Sequence, residues 1–127
     1  MHLTQADRER LVAQRTIDFT TYRRSSGEPH RVEIWWFEVA GRLVITGSPG
    51  RRDWLANVRE NPRVVIHGGG LDVEATASVV EDPAFRRQVF TQPETSWYTT
   101  QAELDRLVSS SPMIEIRLSG DPAPSSS

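Results

Sequence analysis

The chain has 127 residues, a formal net charge of −2 and no cysteine, and all 15 of its basic residues are arginine. That length fits one domain with a single core. The absence of cysteine excludes a thiol nucleophile, a thiolate zinc site and an iron–sulfur cluster, so redox chemistry would require a bound organic cofactor or an unusual metal site.

Leu3 to Gln14 reads as an amphipathic helix with Thr4 as its N-cap, poor enough in apolar residues to lie over the domain or a ligand. From Thr16 the period changes to two, which predicts a strand with Ile17, Phe19 and Thr21 on one face. RRSSGEPH (23–30) is a turn by composition. The next strand, 31–39, reads RVEIWWFEV, and Trp35, Phe37 and Val39 make its second face apolar as well. Cover must come from a bulge, a helix or a second copy of the chain. Ala40-Gly41 turns into a short strand, RLVIT (42–46).

Gly47-Ser48-Pro49-Gly50 leads into a helix carrying Trp54, Leu55 and Val58, which Asn61-Pro62 stops. RVVIH (63–67) is a strand, the glycine triplet 68–70 suits a tight hairpin, and Leu71 to Val80 alternates without fault. Asp82-Pro83 opens a short helix with Phe85, Val89 and Phe90. QPETSWY reads as a loop, and Thr100 to Glu103 as a capping box before Leu104, Leu107 and Val108. Met113 to Leu118 is the last strand. The expected architecture is mainly β with short helices, a six-stranded antiparallel barrel capped by those helices. Residues 1–119 form the domain and GDPAPSSS (120–127) a disordered tail.

No Walker loop, dinucleotide fingerprint or G-x-S-x-G elbow is present, and His2, His30 and His67 are too scattered to make a metal or triad motif. His67 reads as the end of a strand, and the motifs give a hydrolase no support. The charge is nevertheless uneven. Residues 23–63 hold eight arginines against five acids, and the remainder seven against twelve. This basic charge falls on two loops, Arg23 to Gly27 with His30-Arg31, and Gly47 to Arg52. The second runs into a helix N-terminus, where free amides favour an anion. Such placement suits a discrete phosphate or carboxylate more than a long polyanion, although ordinary solvated turns have the same composition. Among the aromatics, Trp36 and Trp54 read as core, and Trp97-Tyr98, in a polar loop, as a site wall.

The segment TTYRRSSGEPHRVEIWWFEVAGRLVITGSPGRRDWLANVRENPRVVIHGGG resembles the deazaflavin-dependent nitroreductase (quinone reductase) family, part of the flavin and deazaflavin oxidoreductase superfamily. The resemblance rests on a TT strand, an R-R/K-S-G-x-P type turn, a G-S-x-G type loop, W-x-x-N on a helix and N-P before a strand. LDRLVSSSPMIEIRL resembles that family's C-terminal segment. His30, Ser25 and Glu28 depart from the family's usual residues in the cationic turn.

This resemblance implies a split β-barrel of the pyridoxamine phosphate oxidase type and the 8-hydroxy-5-deazaflavin coenzyme (coenzyme F420), with FMN as the runner-up. It places the cofactor on Arg24, Ser25, Ser26, Gly27, Arg31, Gly47, Ser48, Gly50, Arg51, Arg52, Trp54 and Asn57. The implied activity is hydride transfer to a nitroaromatic, quinone or enone. Tyr98 is the first candidate proton donor and Tyr22 the second, with Ser48 against the ring or a substrate oxygen. Alternatives are an FMN or haem protein of the same fold, or a non-catalytic module that carries the deazaflavin or binds an oligonucleotide. A metal, nucleic acid and stable membrane insertion are not expected. The two-faced apolar strand at Trp35, Trp36 and Phe37 suits a homodimer, and a cytoplasmic location is expected because the chain has neither an apolar run of about 18 residues nor a signal peptide.

Overall fold

The computed structural model describes residues 3–119. The expected tail, 120–127, lies outside the described residues. Six antiparallel strands close into a barrel: β1 (Thr16–Tyr22), β2 (Pro29–Val39), β3 (Arg42–Thr46), β4 (Arg63–Gly68), β5 (Leu71–Val79) and β6 (Met113–Leu118). Their order around the barrel is β1-β2-β3-β6-β5-β4. Three neighbouring pairs are chain-adjacent hairpins or turns. The β1–β4, β3–β6 and β5–β6 pairings join strands distant in sequence and complete the ring.

Alternation decides which side chains fill the barrel. Ile17, Phe19, Trp36, Ile45, Ile66 and Ile116 all point inward and are buried. Two helices cover the barrel's ends. At the start of β1, α1 (Gln5–Val12) places a fully buried Leu11 over the core, and Thr4 accepts the Asp7 amide as its N-cap. Trp36 Nε1 donates to the Gln14 carbonyl at 2.7 Å and ties the exit of this helix to β2. At the other end, α2 (Asp53–Glu60) buries Trp54, Asn57 and Val58, with Trp54 edge-on to Phe19.

The second apolar face of β2 is covered from within the chain. Phe37 and Val39, with Val44 and Met113, pack beneath α3 (Pro83–Phe90), a 3-10 helix (Pro93–Thr100) and α4 (Leu104–Ser110). Most of the apolar surface that pointed to a second copy is thereby used. Trp35 alone of that face stays exposed, at 41%.

Two expectations are corrected here. QPETSWY is a 3-10 helix, not a loop. The capping box does not form, because Thr100 Oγ1 donates to the Trp97 carbonyl and α4 begins one residue after Glu103 without a side-chain cap. Local bonding of a threonine to its own preceding turn competes with capping, and here it wins.

Arg86 holds this second layer together. Its buried guanidinium donates to the carbonyls of Val80, Val108 and Ser111, closing the end of β5 and the C-terminus of α4 at one point. No described helix is long and apolar enough to cross a membrane.

The two tightest hairpins make opposite demands. Ala40-Gly41 turns with φ of 52° and 78°, so a residue with a Cβ occupies the left-handed region. Ala40→Asn should therefore stabilise the fold by about 0.5–1 kcal/mol in urea unfolding. At Gly68 a Cβ would meet Ile17 Cγ2 at 3.0 Å and Leu11 Cδ1 at 3.1 Å. Gly68→Ala should cost about 1–3 kcal/mol by the same measurement, and α1 should be cleaved faster by protease.

Candidate functional site

The two basic loops come together through α2. In the turn after β1, Gly27 adopts φ 73° and its amide returns to the Arg23 carbonyl, which leaves Arg24, Ser25 and Ser26 exposed. Ser26 Oγ accepts the Glu28 amide and fixes the far side of the turn. Arg24 then reaches α2, where its Nη1 donates to Asn57 Oδ1 at 3.2 Å. Asn57 Nδ2 in turn donates to Thr21 Oγ1 at 3.0 Å inside the barrel mouth.

The loop from Gly47 to Arg52 is the entry to the same helix. Arg52 folds back over it, with Nη2 donating to the Ser48 carbonyl at 3.3 Å and Nη1 to the Arg51 carbonyl at 3.2 Å. A Cβ on Gly47 would lie 3.2 Å from this guanidinium, and one on Gly50 3.0 Å, so glycine allows arginine to lie against the backbone. Arg52 is also the N-cap, in an extended conformation, and supplies no side-chain hydrogen bond to the first turn. Arg51 is exposed and Ser48 half-buried. A hollow of about 320 Å³ opens beside Gly50, between Arg59, Arg86 and Ser111, whose buried Oγ has no hydrogen-bond partner among the described residues.

Other predicted residues lie elsewhere. Arg31 sits on the outer barrel wall, its Nε 2.8 Å from Asp18 Oδ2. Trp54 is core, as the pattern indicated, and its ring is not available to stack on a ligand. Tyr22 is half-buried on the outer wall under the Arg63 guanidinium, 5.4 Å from ring centre to Arg63 Cζ.

Tyr98 departs from the expectation of a loop-borne wall. Only 4% of it is exposed, and its ring packs edge-on to Phe37 and Phe90. Burial pushes its phenol above the usual tyrosine range, while the nearby Arg52 charge pulls it partly back. Trp97 is the residue that stays at the surface. It stacks on Tyr98 at 4.0 Å and meets Trp35 edge-on at 5.7 Å.

Sequence reasoning missed the partnership of Thr21 with this region and the edge-on pairing of Trp35 with Trp97. A signal existed for Thr21, because alternation put its hydroxyl inside an apolar barrel, where it needs a partner. Nothing in the local pattern singled out Trp35 from its apolar neighbours.

The pyridoxamine 5'-phosphate oxidase family model matches residues 3–119, and the chain belongs to that family. No curated protein matches it. Among solved structures it is similar to an F420-H2 dependent reductase, with 22% identity over 82% of this chain and 95% of that one and a TM-score of 0.60. A FAD-binding protein from Mesorhizobium loti shares 20% identity over 91% and 90% of the two chains, with a TM-score of 0.63. The heme storage protein HutZ from Vibrio cholerae shares 16% over 93% and 91%, with a TM-score of 0.53. At these identities the likeness establishes the fold, a split barrel.

The opposing effects on Tyr98 give a direct test of its placement. In an ultraviolet titration one of the two tyrosines should ionise above the ordinary value of about 10, and Arg52→Ala should move that transition higher still. Removing the positive charge removes an influence that favours the phenolate.

Proposed function

We propose that the chain is an oxidoreductase that binds the deazaflavin coenzyme F420 and reduces a small electron-poor molecule such as a nitroaromatic, quinone or enone. The observation that supports this reading is the joining of two arginine-bearing loops by one helix. Loop 47–52 leads directly into α2, and Asn57 of α2 holds Arg24 of the other loop.

The local chemistry fits an anionic cofactor. The first turn of α2 has no side-chain cap, glycines leave the approach to Arg52 bare, and Arg51 faces solvent. Arg24, Ser25, Ser26, Gly27, Gly47, Ser48, Gly50, Arg51 and Arg52 would hold the phosphate and the acidic tail. Trp54 and Asn57 would support them from beneath, and Arg31 would contribute only after exchanging Asp18 for the ligand.

The coenzyme, when bound, supplies the hydride. The chain binds it, orients it and keeps water from the reacting face, with Trp97 and Trp35 as the aromatic wall. Tyr98, kept protonated by burial, is the first proton donor, and Tyr22 the second. The Ser48 hydroxyl would meet the ring or a substrate oxygen.

Titration with the oxidised deazaflavin should quench tryptophan fluorescence. Arg24→Ala and Arg52→Ala should each weaken binding by about tenfold, the loss of one charge-assisted hydrogen bond. Unchanged fluorescence at saturating coenzyme would sink the proposal. Fluorescence that responds to FMN or haem and not to the deazaflavin would transfer the site to those ligands. Tight binding without turnover of any quinone would make the chain a carrier.

A further inference from the structure

Three polar side chains on the outer barrel wall form a hydrogen-bonded chain that the reductase reading does not use. Thr20 on β1, His67 on β4 and Asp72 on β5 stand on adjacent strands, with Thr20 8% exposed and Asp72 at the surface. His67 Nδ1 lies 2.6 Å from Asp72 Oδ1, and His67 Nε2 lies 2.8 Å from Thr20 Oγ1. An ionised carboxylate can only accept, so Nδ1 carries the proton shared with Asp72. In the neutral imidazole Nε2 is then the acceptor, and the Thr20 hydroxyl must donate to it.

Hydroxyl, imidazole and carboxylate stand in the order that activates a hydroxyl as a nucleophile. A fourth element lies opposite. Arg31 on β2 is the direct cross-strand partner of Thr20, and its Nε is engaged by Asp18. Its terminal nitrogens have no other partner among the described residues, and they can face a negative charge developing beside Thr20.

We propose that Thr20 is the acyl acceptor of a second site, taking small carboxylic esters. Thr20 Oγ attacks the ester carbonyl carbon as its proton passes to His67 Nε2. The carbon–oxygen bond to the alcohol breaks, and the departing alkoxide takes the proton from Nε2. Water then attacks the acyl-threonine, gives its proton to Nε2, and the Thr20 oxygen recovers it as the carboxylic acid leaves. Asp72 is a positioning residue, holding the imidazole in the required tautomer. The site uses none of the residues joined by α2. The sequence concealed it because its three members are 47 and 5 positions apart and belong to no local motif.

The test is 4-nitrophenyl acetate with the full chain and no cofactor. Acetyl should appear on the Thr20 peptide by mass spectrometry. Nitrophenolate release should fall roughly a hundredfold in Thr20→Val and in His67→Gln, and persist in Thr20→Ser. Asp72→Asn should slow release and Asp72→Glu restore it, without a matching change in thermal unfolding. Acetyl found only on other residues, or release by Thr20→Val at the native rate, overturns the proposal. Should Thr20→Val fail to fold, the site of acetylation in the native chain and the behaviour of Thr20→Ser decide.

Discussion

The closure of the sheet is the constraint on which the rest of the molecule depends. β1 is paired on both edges, with β2 by a local connection and with β4 across a gap of more than 40 residues. Closure removes the exposed edges of an open sheet and leaves an apolar interior with two open ends. Strands of this length cannot seal those ends themselves. The short helices α1 and α2 are therefore parts of the core, α1 contributing Leu11 and α2 contributing Trp54 and Val58 to the barrel interior.

The candidate site follows from how one of those ends is sealed. Thr21 points inward at the barrel mouth, where burial is complete, and its hydroxyl needs a partner. Asn57 supplies one and still has an amide oxygen to satisfy, which Arg24 fills from the neighbouring turn. A packing requirement inside the barrel thus fixes where a cationic loop sits outside it. The loop that begins α2 needs no separate anchor, since the plug is its continuation.

Most of the fold was legible because burial follows period in strands that face one core. Leu71 to Val80 reads as one alternating strand, and the strand runs from Leu71 to Val79, while Asp82-Pro83 caps its helix as the sequence indicated. The 93–100 segment was not legible, because a 3-10 helix has no strong apolar period and threonine side chains can serve either a cap or their own turn. Tyr98 was misplaced for the same reason, since a polar neighbourhood in sequence conceals a ring turned toward Phe37 and Phe90. The site was visible as charge and glycine in two loops. Its connection was not, because the Arg24–Asn57 bond spans 33 positions and depends on closure. Arg86 was hidden altogether, being an ordinary arginine in an amphipathic helix until three carbonyls converge on it.

Closure also divides the outer wall into two chemically different halves. Over β2, β3 and β6 the outward residues include the apolar Phe37, Val39, Val44 and Met113, and helices cover them. Over β1, β4 and β5 they include Asp18, Thr20, His67, Asp72 and Glu74, which pair with one another across strands or face water. A helix laid on that half would strand those charges without solvent, at a cost that burial of so few apolar atoms could not offset. The covered half carries its aromatic residues up to Trp35 and Trp97 at its rim, while the bare half holds a buried hydroxyl and a largely covered imidazole that lead to an exposed carboxylate. One alternating pattern, carried through a closed sheet, therefore yields an aromatic surface beside the arginine loops and a polar surface able to do acid–base chemistry on another strand pair.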